Sequence, residues 1–206
     1  MKSFRRRIQS ILLEKIPEAG GRNPEVDFHG EKRSNATHES RSDKDAWLYK
    51  KSSGSQAKLA YLGHVLMENR NGLAVDVEVT LASGTAERDA AHSMALRLNG
   101  NKKRTLGADK SYDASEFAEN LRDLKTTPPI SQRRNGKSVD GRTTRHEGYE
   151  TSQRKRNLVE EIFGWAKTVG LIRKAKLQGR ANIDWLFPMS LAVFNPVRLR
   201  NMEAEA

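Results

Sequence analysis

Apolar and polar positions change period several times along this chain, and each change marks an expected element. Phe4, Ile8, Ile11, Leu12 and Ile16 recur at helical spacing, and Pro17 with Gly20-Gly21 ends the run, so a short helix is expected within residues 1–20. Residues 21–57 lose the period. They are polar and turn-rich, with Gly21, Asn23, Pro24, Gly30, Asn35, Ser52, Ser53 and Gly54, and read as a linker or inserted loop. An ordered domain is expected over 58–200. It opens on LAYLGHVLM, ENRNG and LAVDVEVTL, which predict a β-hairpin, with Asn71-Gly72 supplying the positive φ angles of a tight turn. In the second strand Leu73, Val75, Val77, Val79 and Leu81 alternate with Asp76, Glu78 and Thr80, so one face is expected in the core.

Residues 85–98 return to helical spacing through Ala90, Met94, Ala95 and Leu98, and a short strand is expected at 104–108. Asp113 and Glu116 form a capping box for a helix carrying Phe117, Leu121 and Leu124, which Pro128-Pro129 stops. Ile130 is expected to open an edge strand, and 131–150 a polar basic loop. Val159, Ile162, Phe163, Ala166 and Val169 then stripe one long helix over 153–170. A last apolar helix starts near Ile183, with Pro188 and Pro196 expected to interrupt it. Hairpin, helix, strand and helices in this order predict a mixed α/β fold.

Charge narrows the function classes. Lys and Arg total 37 against 26 Asp and Glu, a formal charge of +11, which favours a polyanionic partner such as nucleic acid. With no cysteine, disulfides and thiolate metal sites are excluded, so any metal must be held by oxygen or imidazole; carboxylates would suit Mg²⁺ or Mn²⁺. No apolar run is long enough for a membrane span, and a cytosolic location is expected. His64, His92 and His146 lack ligand spacing, and core packing is the expected role of Trp165 and Trp185.

Two stretches carry candidate chemistry. In LGADKSYD, Asp109 follows a short strand and precedes a capped helix, where ligand sites of open α/β sheets gather; an Asp there is also a common turn former or cap. In QRKRNLVEEIFGWAKTVG, helical rotation puts Glu160 about 40° and Lys167 about 20° from Arg156, one narrow row beside the apolar stripe. A carboxylate flanked by two cations is held ionised, ready for a metal; a surface charge ladder has the same spacing. Arg154, Lys155 and Arg156 precede Glu160, and Lys167, Arg173, Lys174, Lys176 and Arg180 follow it without an intervening acid in 167–180. These segments predict a positive surface suited to DNA phosphates, or else a solvated charged face.

Taken together, LGADKSYD and RKRNLVEEIFGWAKTVGLIRKAKLQGR resemble the DDE domain of bacterial insertion-sequence transposases, whose Arg-x3-Glu-x6-Lys signature is met by Arg156, Glu160 and Lys167. GGRNPEVDFHGEKRSNATHESRSDKDAWLYKKSSG and KLAYLGHVLMENRNG are similar to segments of one subgroup, so the resemblance covers roughly 21–200. It implies a ribonuclease-H-like core in which three carboxylates hold two divalent metals, Mg²⁺ or Mn²⁺, for phosphoryl transfer on DNA. Asp109 matches the second carboxylate and Glu160 the third; Arg156 and Lys167 would contact phosphates or steady the site. The partners implied are DNA, at element ends and target, and a second copy or an intact transposase, in a bacterial, nucleoid-associated setting. The first carboxylate belongs to a strand upstream of the segment matching GGRNPEVDF, and residues 1–20 contain no Asp. The expectation is therefore a truncated, inactive copy whose sheet lacks its first strand and bares an edge. Asp27, Asp45 and Asp76 are candidates to substitute for that first carboxylate. The alternatives are a non-catalytic DNA-binding remnant that could inhibit intact transposase, and an unstable pseudogene product. Gln153, where the family often has Tyr, and Ser111, where it often has Gly, are lesser departures.

Overall fold

The computed structural model describes residues 3–5, 13–15, 34–50, 54–98, 103–109, 112, 115–128, 145, 147–155 and 157–204. The predicted hairpin is its centre. Strands β5 (Lys58–Met67) and β6 (Ala74–Leu81) pair antiparallel from Tyr61↔Leu81 to Met67↔Ala74, with a register shift between Leu66 and Met67. Among the described residues four shorter strands precede them: β1 (Ser3–Arg5), β2 (Leu13–Lys15), β3 (His38–Ser40) and β4 (Trp47–Tyr49). β1 pairs with Leu62–His64 and β4 with Lys58–Ala60, while β2 and β3 form a separate two-stranded ladder.

Tyr61 to Leu66 are all buried, which explains why LAYLGHVLM reads as a nearly continuous apolar run. Both faces of β5 meet helices. Leu59, Tyr61 and Val65 join a core with α4 (Leu158–Thr168) and α5 (Arg180–Ala204), including Val159, Ile162, Phe163, Ile183, Phe187 and Leu191. On the other face Leu66 packs with α1 (Ala86–Arg97), through Ala90, Ala91 and Met94, and with Phe117 and Leu121 of α2 (Ser115–Asp123). Small alanines bring α1 close to the strand. His64, wholly buried there, shares a 2.8 Å hydrogen bond between Nε2 and the Thr80 hydroxyl, and burial lowers its pKa to about 4.

After α1 the chain makes a β-α-β unit. β7 (Arg104–Thr105) and β8 (Thr126–Thr127) lie parallel, joined through α2. Helix α3 (Glu147–Lys155) and then α4 follow. Gly170, just past α4, is required by close packing: a Cβ there would lie 2.8 Å from the Ala166 carbonyl oxygen and 3.2 Å from Ser190 Cβ. The Ser190 hydroxyl donates to the Gly170 carbonyl at 2.9 Å, fastening α5 to the end of α4.

Several expectations are overturned. The helix predicted within 1–20 is not found at Ser3–Arg5 or Leu13–Lys15, which are strands; pairing with β5 and β3 overrides a helical period in so short a segment. The segment 34–50, expected to be unpacked linker, buries His38, Ser40, Asp43 and Ala46. Its polar side chains are used internally. Tyr61 donates its hydroxyl to Asp43 Oδ1 at 2.6 Å, and Asn35 both donates to the Leu48 carbonyl and accepts from its N–H. The edge of β5 opposite β6, expected bare, carries β1 over Leu62–His64.

In the hairpin loop Gly72 alone takes positive φ, +74°, and Asn71 does not. The loop is instead held by the Glu68 carboxylate, which accepts from the N–H groups of Arg70, Asn71 and Leu73. Val75, expected inside, is half exposed, since the register shift falls near the end of the pairing. Asp76 and Glu78 face Arg97 of α1 at 2.8 and 2.9 Å. Pro188 and Pro196 do not interrupt α5; the carbonyls they free belong to Asp184 and Ala192, both exposed to water. Trp165 packs edge-on against Phe194 as expected, whereas Trp185 is exposed. Asp113, expected to cap α2, Ile130 and nearly all of the loop 131–150 lie outside the described residues.

Candidate active site

Two described segments carry the candidate acids. Ala108 is buried three residues past β7, and Asp109 follows it, half-buried, ahead of α2. The Asp109 carbonyl accepts the Tyr112 N–H at 3.0 Å, closing a tight turn. An acid placed beyond the carboxyl end of a parallel strand is where such sheets present ligand-binding groups. Tyr112 escaped the sequence reading. It is buried and stacks obliquely on Phe117 at 5.7 Å; among the described residues its hydroxyl has no hydrogen-bond partner. Burial, and then the negative charges of Glu87 and Asp109, push its phenol pKa far above the ordinary value. An aromatic residue three positions after Asp109 was the available signal.

Glu160 stands exposed in the first turn of α4, next to the buried Val159. Within the span 153–170, predicted as a single helix, α3 ends at Lys155 and α4 begins at Leu158. Asn157 precedes α4 and its carbonyl accepts the Glu160 N–H at 2.9 Å, a three-residue bond that tightens the start. Lys167 lies seven residues after Glu160 in the same helix, about 20° away in rotation, so both share a face. Its ammonium is 6.0 Å from the centre of the Phe163 ring. Arg156, the first residue of the signature, lies outside the described residues.

The segments bearing Asp109 and Glu160 line one cleft. Its walls include Arg104, Thr105, Leu106 and Gly107 on the Asp109 side, Ser152 and Val159 on the Glu160 side, and Val65, Leu66 and Met67 of β5; it encloses about 400 Å³. Among the described residues no three of His, Asp and Glu gather to hold a metal ion. Asp109 and Glu160 offer the hard oxygen atoms that Mg²⁺ or Mn²⁺ takes, so the donors fit in kind, and a further donor would be needed to complete the set.

The other acids weighed for this role are engaged elsewhere. Asp76 binds Arg97 and accepts the Val77 N–H. Asp45 accepts the Arg180 N–H at 2.8 Å and Asp43 the Gly179 N–H at 3.1 Å, so both serve the start of α5. Asp27 lies outside the described residues. Of the proposed phosphate contacts, Arg154 is exposed with an ion pair to Glu150 at 3.3 Å, and Lys155, Arg173, Lys176 and Arg180 are exposed. Lys174 ends the 3-10 turn Ile172–Lys174, and its side chain is outside the described set.

Among the described residues no helix is long and apolar enough to cross a membrane. No protein in a search of curated sequences matches the chain. The family whose description is "Transposase DDE domain" matches residues 26–193, a span that includes Asp109, Arg156, Glu160 and Lys167. Its members are, in general, enzymes of DNA cleavage and strand transfer that use divalent metals. A match over most of the chain makes this protein a member of the DDE-domain transposase family.

Proposed function

We propose that the chain acts on the DNA of a mobile element, binding its ends and supporting divalent-metal-dependent strand cleavage and transfer through Asp109 and Glu160. The observation that carries this reading is the shared cleft, walled by Gly107, two residues before Asp109, and by Val159, adjacent to Glu160. A bound divalent ion would supply the acidity that activates an attacking oxygen and the charge that steadies a leaving one. The chain's own part is to hold that ion with the two carboxylates and to bring phosphates alongside with Arg156 and Lys167, supported by Arg154, Lys155, Arg173, Lys174, Lys176 and Arg180. A ribonuclease-H-like core is supported by the antiparallel hairpin followed by a helix and then by two parallel strands joined through another. The setting proposed is the bacterial cytoplasm, at the nucleoid.

A second reading, a non-catalytic chain that grips DNA without cutting it, is favoured by one observation: Asp45 and Asp76, two acids that could have served as a further metal ligand, are engaged with the Arg180 N–H and with Arg97. Both are tested on DNA carrying the sequences that flank the chain's own gene, with Mg²⁺ or Mn²⁺. Catalysis predicts cleavage that Glu160→Gln lowers by at least about 100-fold while DNA binding persists. Salt-sensitive binding without cleavage would support the second reading.

A further inference from the structure

The 25-residue helix α5 is apolar on two sides. Ile183, Phe187, Leu191 and Phe194 are buried in the core. On the opposite side Trp185 is 62% exposed, Met189 51%, Val193 52% and Leu199 45%, with Ala192 and Pro196 exposed among them. Relative to Ala192, helical rotation puts Trp185 at about +20°, Met189 at about +60°, Pro196 at about +40° and Leu199 at about −20°. Steps of four, three, four and three residues from Trp185 to Leu199 are those of a coiled-coil seam. Between Trp185 and Leu199 the one charged residue is Arg198, which turns away to the Asn71 carbonyl at 3.1 Å.

We propose that this outer seam of α5 docks a second copy of the chain, the two α5 helices packing antiparallel about Ala192. The seam is complementary to itself. Trp185 and Leu199 each lie seven residues from Ala192, so a two-fold axis there sets Trp185 against Leu199 of the partner subunit at both ends. The smallest side chain falls at the crossing, where the backbones come closest, and the bulkiest lies where they diverge. Val75, 51% exposed, lines a hollow with Pro188 and Ala192 and widens the apolar surface. These half-exposed side chains offer on the order of 500 Å² per copy. A symmetric pair would bury roughly 1,000 Å², the lower limit of a specific interface, so the dimer should be reversible and concentration-dependent.

The chain has no cysteine, so Ala192→Cys gives a probe for the axis itself. The two new thiols would lie within disulfide reach across the crossing. Sedimentation of the full chain should show a monomer–dimer equilibrium in the micromolar range, weakened at least about tenfold by Met189→Glu, with circular dichroism unchanged. Mild oxidation should link Ala192→Cys into dimers much faster than Ser115→Cys, an exposed position on α2. A monomer at all concentrations, equal cross-linking at both positions, or a dimer indifferent to Met189→Glu would overturn the proposal and leave the seam to a different occupant.

Discussion

The two faces of β5 are covered by different means. On the side of α4 and α5, packing is reinforced by side chains that reach across the chain to backbone groups. Asp43 and Asp45 hold the start of α5, Ser190 holds Gly170, and Asn195 exchanges two hydrogen bonds with Ala74, at 2.8 and 2.9 Å. On the side of α1 and α2 the contacts are alanines, Met94, Phe117 and Leu121, with Arg97 pairing Asp76 and Glu78 near solvent. The first side is fixed by directional bonds, the second by shape. Glu160 belongs to the first and Asp109 to the second, so the candidate site draws one acid from each kind of packing.

Three measurements test that contrast. The largest effect is expected at Asp43, where Asp43→Ala would strip the buried Tyr61 hydroxyl and the Gly179 N–H of one acceptor and cost about 4 kcal/mol in chemical denaturation. A loss below about 1 kcal/mol would mean that the polar anchors are incidental. Next is acid. Because burial holds the folded-state pKa of His64 near 4, the unfolded chain takes up its proton first as pH falls. His64 therefore contributes a stability loss between about pH 6.5 and pH 4, worth about 3 kcal/mol across the window. In His64→Gln that part of the slope should vanish. The smallest effect is at Arg97, whose guanidinium pKa is raised by its hydrogen bond to Asp76 even though it is 47% exposed. Arg97→Met should cost about 1 kcal/mol or less, and 1 M salt should reduce the difference. A larger, salt-independent loss would place this ion pair with the anchors of the other face.

The same contrast explains what could be read from the sequence. Period-2 and period-3.6 patterns report burial, so the hairpin, α1 and α2 were legible from Leu59, Val79, Ala90, Met94 and Leu121. Asp109 and Glu160 were legible as members of a motif, and the cleft that their segments share required three dimensions. The packing of 34–50 was hidden because its residues are polar and its partners distant. Composition cannot tell an Asp that solvates a loop from one that accepts a tyrosine hydroxyl 18 positions later. Trp185 misled in the reverse direction, because an apolar side chain on an amphipathic helix gives no sign of which of two apolar faces it joins.

The bond from Gly179 to Asp43 spans 136 positions, and the neighbouring Asp45–Arg180 bond spans 135. During synthesis the β5–β6 hairpin can close as soon as its two strands emerge, since its partners are neighbours in sequence. The 34–50 segment cannot gain its two bonds to α5 until that helix, 135 positions further on, has left the ribosome. Until then the nascent chain carries a finished hairpin beside a 34–50 segment held through β4 and the Asp43–Tyr61 bond but not yet at α5. Chaperone demand should accordingly fall late, when α5 docks and its first turn meets the two aspartates.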